Sequence, residues 1–74
     1  MLPNISVMDA VRALERLGFE VVRQRGSHVV LKKQLPERQV GCAVPLHREL
    51  AIGTLRGILK QANVSQDEFV DALG

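Results

Sequence analysis

The hydrophobic period changes twice along the chain, and the changes mark its elements. Val7, Ala10, Val11, Leu14 and Leu17 recur at helical spacing, with Arg12, Glu15 and Arg16 on the other side. Ser6 stands at an N-cap position with Asp9 three residues on, and Gly18 suits the left-handed residue that ends a helix. The pattern predicts a helix over roughly residues 6–17. From Phe19 the period shortens toward two, predicting strands over Phe19–Arg25 and His28–Lys33. Gly26-Ser27 between them is a two-residue hairpin turn, because Gly accepts the positive φ such a turn needs. A regular ladder from that turn sets Arg25 opposite His28, Arg23 opposite Val30 and Val21 opposite Lys32. The alternate set places Gln24 opposite Val29 and Val22 opposite Leu31. One face then carries Val22, Val29 and Leu31 and is expected in the core. The other carries Arg23, Arg25, His28 and Lys32.

Gln34 to Arg38 is a polar connection containing Pro36. Gln39–Val44 reads as a third strand, in which Gly41 marks a bulge or a close approach, and Pro45 closes it. Pro45 to Gly53 is expected as a loop, and Thr54 as the cap of a second helix with Leu55, Ile58, Leu59 and Ala62 as its apolar stripe. Asn63 suits the left-handed end of that helix. Ser65 and Glu68 form a second capping-box pattern, opening a short helix with Phe69, Val70 and Leu73 apolar. The order is α-β-β-β-α plus a short C-terminal helix. Its simplest packing is a two-layer α+β domain, a three-stranded antiparallel meander with both main helices on one side. The other side of the sheet stays open, and it is the side assigned to His28.

Seventy-four residues make a single domain, residues 1–74, with a modest core and only Phe19 and Phe69 as aromatics. No apolar run approaches the length of a membrane helix, and the N-terminus lacks the order of a signal peptide. Cys42 is the only cysteine, so no internal disulfide can form, and the residue reads as a small buried apolar group. These features point to a cytoplasmic protein with no membrane partner. The net charge of +2 is unevenly spread. Asp67, Glu68 and Asp71 stand in the last ten residues without a cation, so the body holds ten cations against five acids. A basic body suits a nucleic-acid ligand.

The chemistry open to so few polar groups is narrow. His28, His47 and Cys42 are too few and wrongly spaced for a metal site, and no phosphate-binding glycine loop is present. Ser27 and His28 are adjacent, which by strand alternation points them to opposite faces and argues against a nucleophile–base pair. What remains is a histidine among cations. Cleavage of RNA by its own 2′-hydroxyl needs one group to take that proton, one to protonate the leaving 5′-oxygen, and positive charge near the phosphorus. Histidine suits the proton steps, and Arg23, Arg25 and Lys32 suit the electrostatic one. His47 is a second candidate for proton transfer. Lys33, Arg38, Arg48, Arg56 and Lys60 are further phosphate candidates, against the background that most such charges are ordinary solvated surface.

Leu17-Gly18-Phe19, Arg23-Gln24-Arg25-Gly26-Ser27-His28, Val44-Pro45-Leu46-His47 and Gly53-Thr54-Leu55-Arg56-Gly57-Ile58-Leu59-Lys60-Gln61-Ala62 together resemble the HicA toxin family, also called YcfA-like, in order over roughly residues 6–70. The resemblance implies a fold similar to double-stranded-RNA-binding domains. It also implies an mRNA interferase that works without the ribosome and without a cofactor, the toxin of a type II toxin–antitoxin pair. It assigns catalysis to His28 of the Gly-Ser-His turn, makes Ser27 an RNA-contact candidate beside it, and names a HicB-like antitoxin as the protein partner. His47 matches a recurrent family position. Two alternatives use the same residues: a non-catalytic RNA-binding module, and an inactive toxin that only binds its antitoxin.

Overall fold

The computed structural model describes residues 2, 4–46 and 49–74. A short strand β1 (Ile5–Ser6) leads into helix α1 (Val7–Arg16). Ser6 caps the helix, its hydroxyl accepting from the Asp9 N–H at 3.1 Å. Val7, Ala10, Ala13 and Leu14 are its buried stripe. At the far end the Phe19 N–H donates to the Leu14 carbonyl and the Gly18 N–H to that of Glu15, both at 3.0 Å. This pair of bonds is a Schellman ending, and it needs the φ of +99° that Gly18 adopts.

Strands β2 (Glu20–Arg25), β3 (His28–Gln34) and β4 (Gln39–Pro45) form the antiparallel meander, with β3 in the middle. Gly26 alone takes positive φ in the first turn, +58°, the φ pattern of a II′ hairpin. Arg25 pairs with His28, Gln24 with Val29 and Arg23 with Val30, as the ladder predicts. Beyond Arg23 the register shifts by one: Val21 pairs with Leu31, not Lys32, and Glu20 pairs with Lys32. Val22 is the extra residue of a β-bulge and does not face Leu31. The cause is Phe19. A regular ladder would turn Phe19 onto the open face, whereas the bulge reverses the phase and buries it at 3% exposure. Val22 is therefore 47% exposed and not part of the core, while Val29 and Leu31 are. In β4 the ladder runs unbroken through Gly41, so no bulge lies there. A Cβ on Gly41 would meet the Leu31 carbonyl at 3.0 Å and the Lys32 side chain at 3.2 Å, the close approach alternative.

The stretch expected as a loop before the second helix contains strand β5 (Glu49–Leu50), which pairs antiparallel with β1. Helix α2 (Ile52–Ala62) starts two residues before Thr54, with Ala51 at its N-cap and no side-chain cap bond. Thr54 is thus inside the helix. Burial moves the start: Leu50 is in the core and Ile52 packs against it, and the β1 pairing leaves only Ala51 between strand and helix. Asn63 ends α2 at φ +58°, with the Val64 N–H on the Leu59 carbonyl at 3.0 Å. In helix α3 (Gln66–Leu73) both bonds of the Ser65–Glu68 capping box form, each at 3.1 Å. Phe69 is fully buried, but Val70 faces solvent and Ala72 with Leu73 packs instead. One Arg16 amino group reaches from α1 to the carbonyls of Ala72 and Leu73, at 2.7 and 3.3 Å. It places a cation on the negative end of α3, whose own last turn has none.

The result is two layers with the core between: α2 packs over β4, α1 reaches β2 and β4, and α3 packs on α1. Strand β2 is an edge of the sheet, and all six of its residues are exposed.

Two outcomes test these local readings. Asn63→Ala should cost about 1 kcal/mol because alanine resists left-handed backbone, whereas Asn63→Gly should cost nothing or stabilise. Urea unfolding of the three chains measures this, and equal midpoints for Ala and Gly would refute it. Backbone and then side-chain bonds from Ser65 hold the Glu68 carboxylate below its ordinary value of 4.5. That contribution is complete above 4.5 and is lost as pH falls through the lower folded value. Across that window the parent should lose more thermal stability than Glu68→Gln does.

Candidate nucleic-acid interface

Register places the candidate groups. At the turn end of the sheet, Arg25, His28 and Pro45 lie side by side across the three strands. The next outward-facing row is Arg23, Val30 and Ala43, and the third is Glu20, Lys32 and Gly41. Arg23, Arg25, His28 and Lys32 therefore share the open face. The bulge leaves their alignment intact because it falls on the far side of Arg23. Lys32 faces Glu20 across the ladder, which offsets part of its charge, whereas Arg23 and Arg25 face no acid in their rows.

The His28 ring is exposed, and its Nδ1 lies 3.4 Å from the Ser27 Oγ. The two side chains do not point to opposite faces as strand alternation would have them. Ser27 is a turn residue, and alternation holds only inside the strands. The contact engages Nδ1, so Nε2 is the ring nitrogen left for a ligand. It does not make a hydrolase pair, because the cross-strand neighbours of His28 are Arg25 and Pro45, and neither is a carboxylate that could orient the imidazole. The site is held from below by backbone: the Leu46 N–H donates to the Ser27 carbonyl at 2.7 Å, tying the end of β4 to the turn.

Other candidates stand elsewhere. Lys33 follows Lys32 and so turns to the helix side, where its ammonium lies 5.9 Å from the Phe19 ring centre and its stem packs at Gly18. Period-two alternation alone separates it from His28. Lys60 and Arg56 are exposed on α2, in the helix layer on the far side of the sheet. Arg38 lies in the β3–β4 connection, at the opposite end of the hairpin from His28. His47 and Arg48 lie outside the described residues.

Cys42 faces the core, and burial pushes its thiol up to about 11, so it stays protonated and unreactive at neutral pH. No three histidine, cysteine or acidic side chains gather into a metal-binding group among the described residues. No described helix is long and apolar enough to cross a membrane. The sequence reading missed one feature of the face: its β4 row, Gly41, Ala43 and Pro45, is small and uncharged. The alternation of these residues with Val40, Cys42 and Val44 was the available signal.

A family model described as the HicA toxin of bacterial toxin–antitoxin systems matches residues 7–64. No curated protein matches the chain. The family match runs from the first residue of α1 to the residue after Asn63, and so contains the whole sheet and the Gly-Ser-His turn but not α3. A match over most of the chain carries the assignment: the chain belongs to the HicA toxin family, the toxin side of bacterial toxin–antitoxin pairs.

Proposed function

We propose that this toxin is an endoribonuclease that cleaves mRNA through His28, without metal or ribosome, and is held inactive by a HicB-like antitoxin. The observation that carries the reading is an exposed imidazole on an open sheet face, flanked on the next strand by Arg25 and then Arg23. The substrate's 2′-oxygen attacks phosphorus, forming the 2′-O–P bond, and the P–O5′ bond breaks. His28 Nε2 either accepts the 2′-hydroxyl proton or donates one to the departing 5′-oxygen. The other proton passes through a second group or water. The products are a 2′,3′-cyclic phosphate and a 5′-hydroxyl, so protons and electrons balance without a cofactor. Arg25 stabilises the negative charge that grows on the phosphoryl oxygens. Ser27, bonded to Nδ1, keeps the ring turned outward. Acting on mRNA, the protein works in the cytoplasm. A partner that covers the same face would stop the reaction by occlusion.

His28→Ala should lower cleavage of a long unstructured RNA, assayed in chelator, by about 10²-fold or more with thermal stability unchanged. Retained cleavage refutes the assignment. Salt-dependent RNA binding by parent and variant alike, with no product from either, identifies a non-catalytic RNA-binding module instead. Failure of both to bind RNA, with tight binding to the antitoxin, identifies an inactive toxin.

A paired comparison separates the two sides of the sheet. Arg25→Ala should reduce kcat/KM on the order of tenfold or more with little effect on unfolding. Lys33→Ala should leave kcat/KM within about twofold while removing about 0.5–1 kcal/mol of stability through its lost contact with Phe19. Equal effects of the two on cleavage would refute the placement.

A further inference from the structure

The open face is divided along its length, and the division says how a ligand lies on it. The β2 side is cationic through Arg23 and Arg25, and β3 adds His28 and Lys32. The β4 side carries Gly41, Ala43 and Pro45, with no charge and little side-chain bulk. Neighbouring strands stand about 4.8 Å apart, so both sides lie within one nucleotide's reach of His28. The floor is shaped as well as neutral. Gly41 lies beside the Lys32 stem, and Pro45 lies beside His28 with no N–H to leave unsatisfied. At the outer edge the Ala43 N–H donates to the Gln61 Oε1 at 3.4 Å, so α2 occupies a backbone donor that a bound strand would otherwise meet.

We infer that the β4 row is a base-binding floor and that the substrate is single-stranded RNA, lying with its phosphates over Arg23 and Arg25 and its bases over Gly41, Ala43 and Pro45. The inference rests on RNA being the substrate proposed above. Charge complementarity argues for that orientation: the polyanionic backbone takes the cationic strand, and the flat faces of the bases take the uncharged one. It also argues against a duplex, which presents phosphates along both of its edges and hides its bases. A duplex on this face would set one row of phosphates over the neutral floor.

The test uses the His28→Ala protein, which binds without turning over. It is titrated with a short mixed-sequence RNA strand, and separately with the duplex of that strand and its complement, while backbone amide shifts are followed. The single strand should shift the amides of Gly41, Cys42, Ala43 and Val44 together with those of Arg23 and Arg25. The duplex should bind at least about tenfold more weakly. Adding Ala43→Leu should weaken single-strand binding about tenfold without changing its dependence on salt. Adding Arg23→Ala should instead lower the salt slope by about 0.7, the value for one lost phosphate contact on a single strand. Shifts confined to β2 and β3, or a duplex that binds as well as the strand, overturn the inference. Because the shift map needs only His28→Ala, it decides the matter even where Ala43→Leu fails to fold. Cleavage by the parent alongside either negative result leaves the ribonuclease reading standing and removes only the floor. Binding of neither RNA removes the floor, and with it the ribonuclease reading if the parent also fails to cleave.

Discussion

The register of the central strand β3 is the constraint on which the rest depends. Val29, Leu31 and Lys33 turn toward the helices, and His28, Val30 and Lys32 turn away. Both neighbouring strands are read off that alternation. A slip of one residue would bury an imidazole and a lysine and expose Leu31, which is wholly buried here. Leu31 and its partner Cys42 thus help hold His28 outward without touching it, and the Gly26 turn sets the phase from which the ladder counts.

The same alternation explains how much of the molecule could be read from the sequence. Long periodic segments were legible: α1, the hairpin next to its turn, the third strand and the capping box of α3. So was the open-face set of Arg23, Arg25, His28 and Lys32, since each lies either on β3 itself or on β2 between the turn and the bulge. What escaped depended on distant packing. The bulge at Val22 answers the burial of Phe19, which no local pattern around Val22 announces. Strand β5 and the early start of α2 answer to Ile5–Ser6, more than forty residues away in sequence. Two-residue strands have no period to detect. Ser27 was misjudged because a rule for strands was applied to a turn.

Lys33, a phosphate candidate by sequence, is placed by the sheet on the helix side. It sits one residue from Lys32, yet it covers the Phe19 ring beside the end of α1. Arg16 is a parallel case, since its charge completes the last turn of α3. In a domain this small, with only two aromatic rings in its core, such reach by long side chains contributes to holding the layers together.

That openness shapes how the site can act. His28 and Arg25 are exposed, and in water a pair of unit charges about 4 Å apart interacts by only about 1 kcal/mol. Strong stabilisation of a phosphoryl transition state requires that water be displaced from the same face. The three outward rows of described residues lie on one open side of the sheet. On the ribonuclease reading proposed above, the substrate itself would supply the cover, by laying nucleotides on both sides of the scissile phosphate. Catalytic power would then rise with the length of RNA that the face engages. On the same reading control would be simple, because any partner that occupies the open face would remove both the binding surface and the means of excluding water. The tail helix α3 has no part in this, since it packs on α1 in the opposite layer, in keeping with a family match that ends at residue 64.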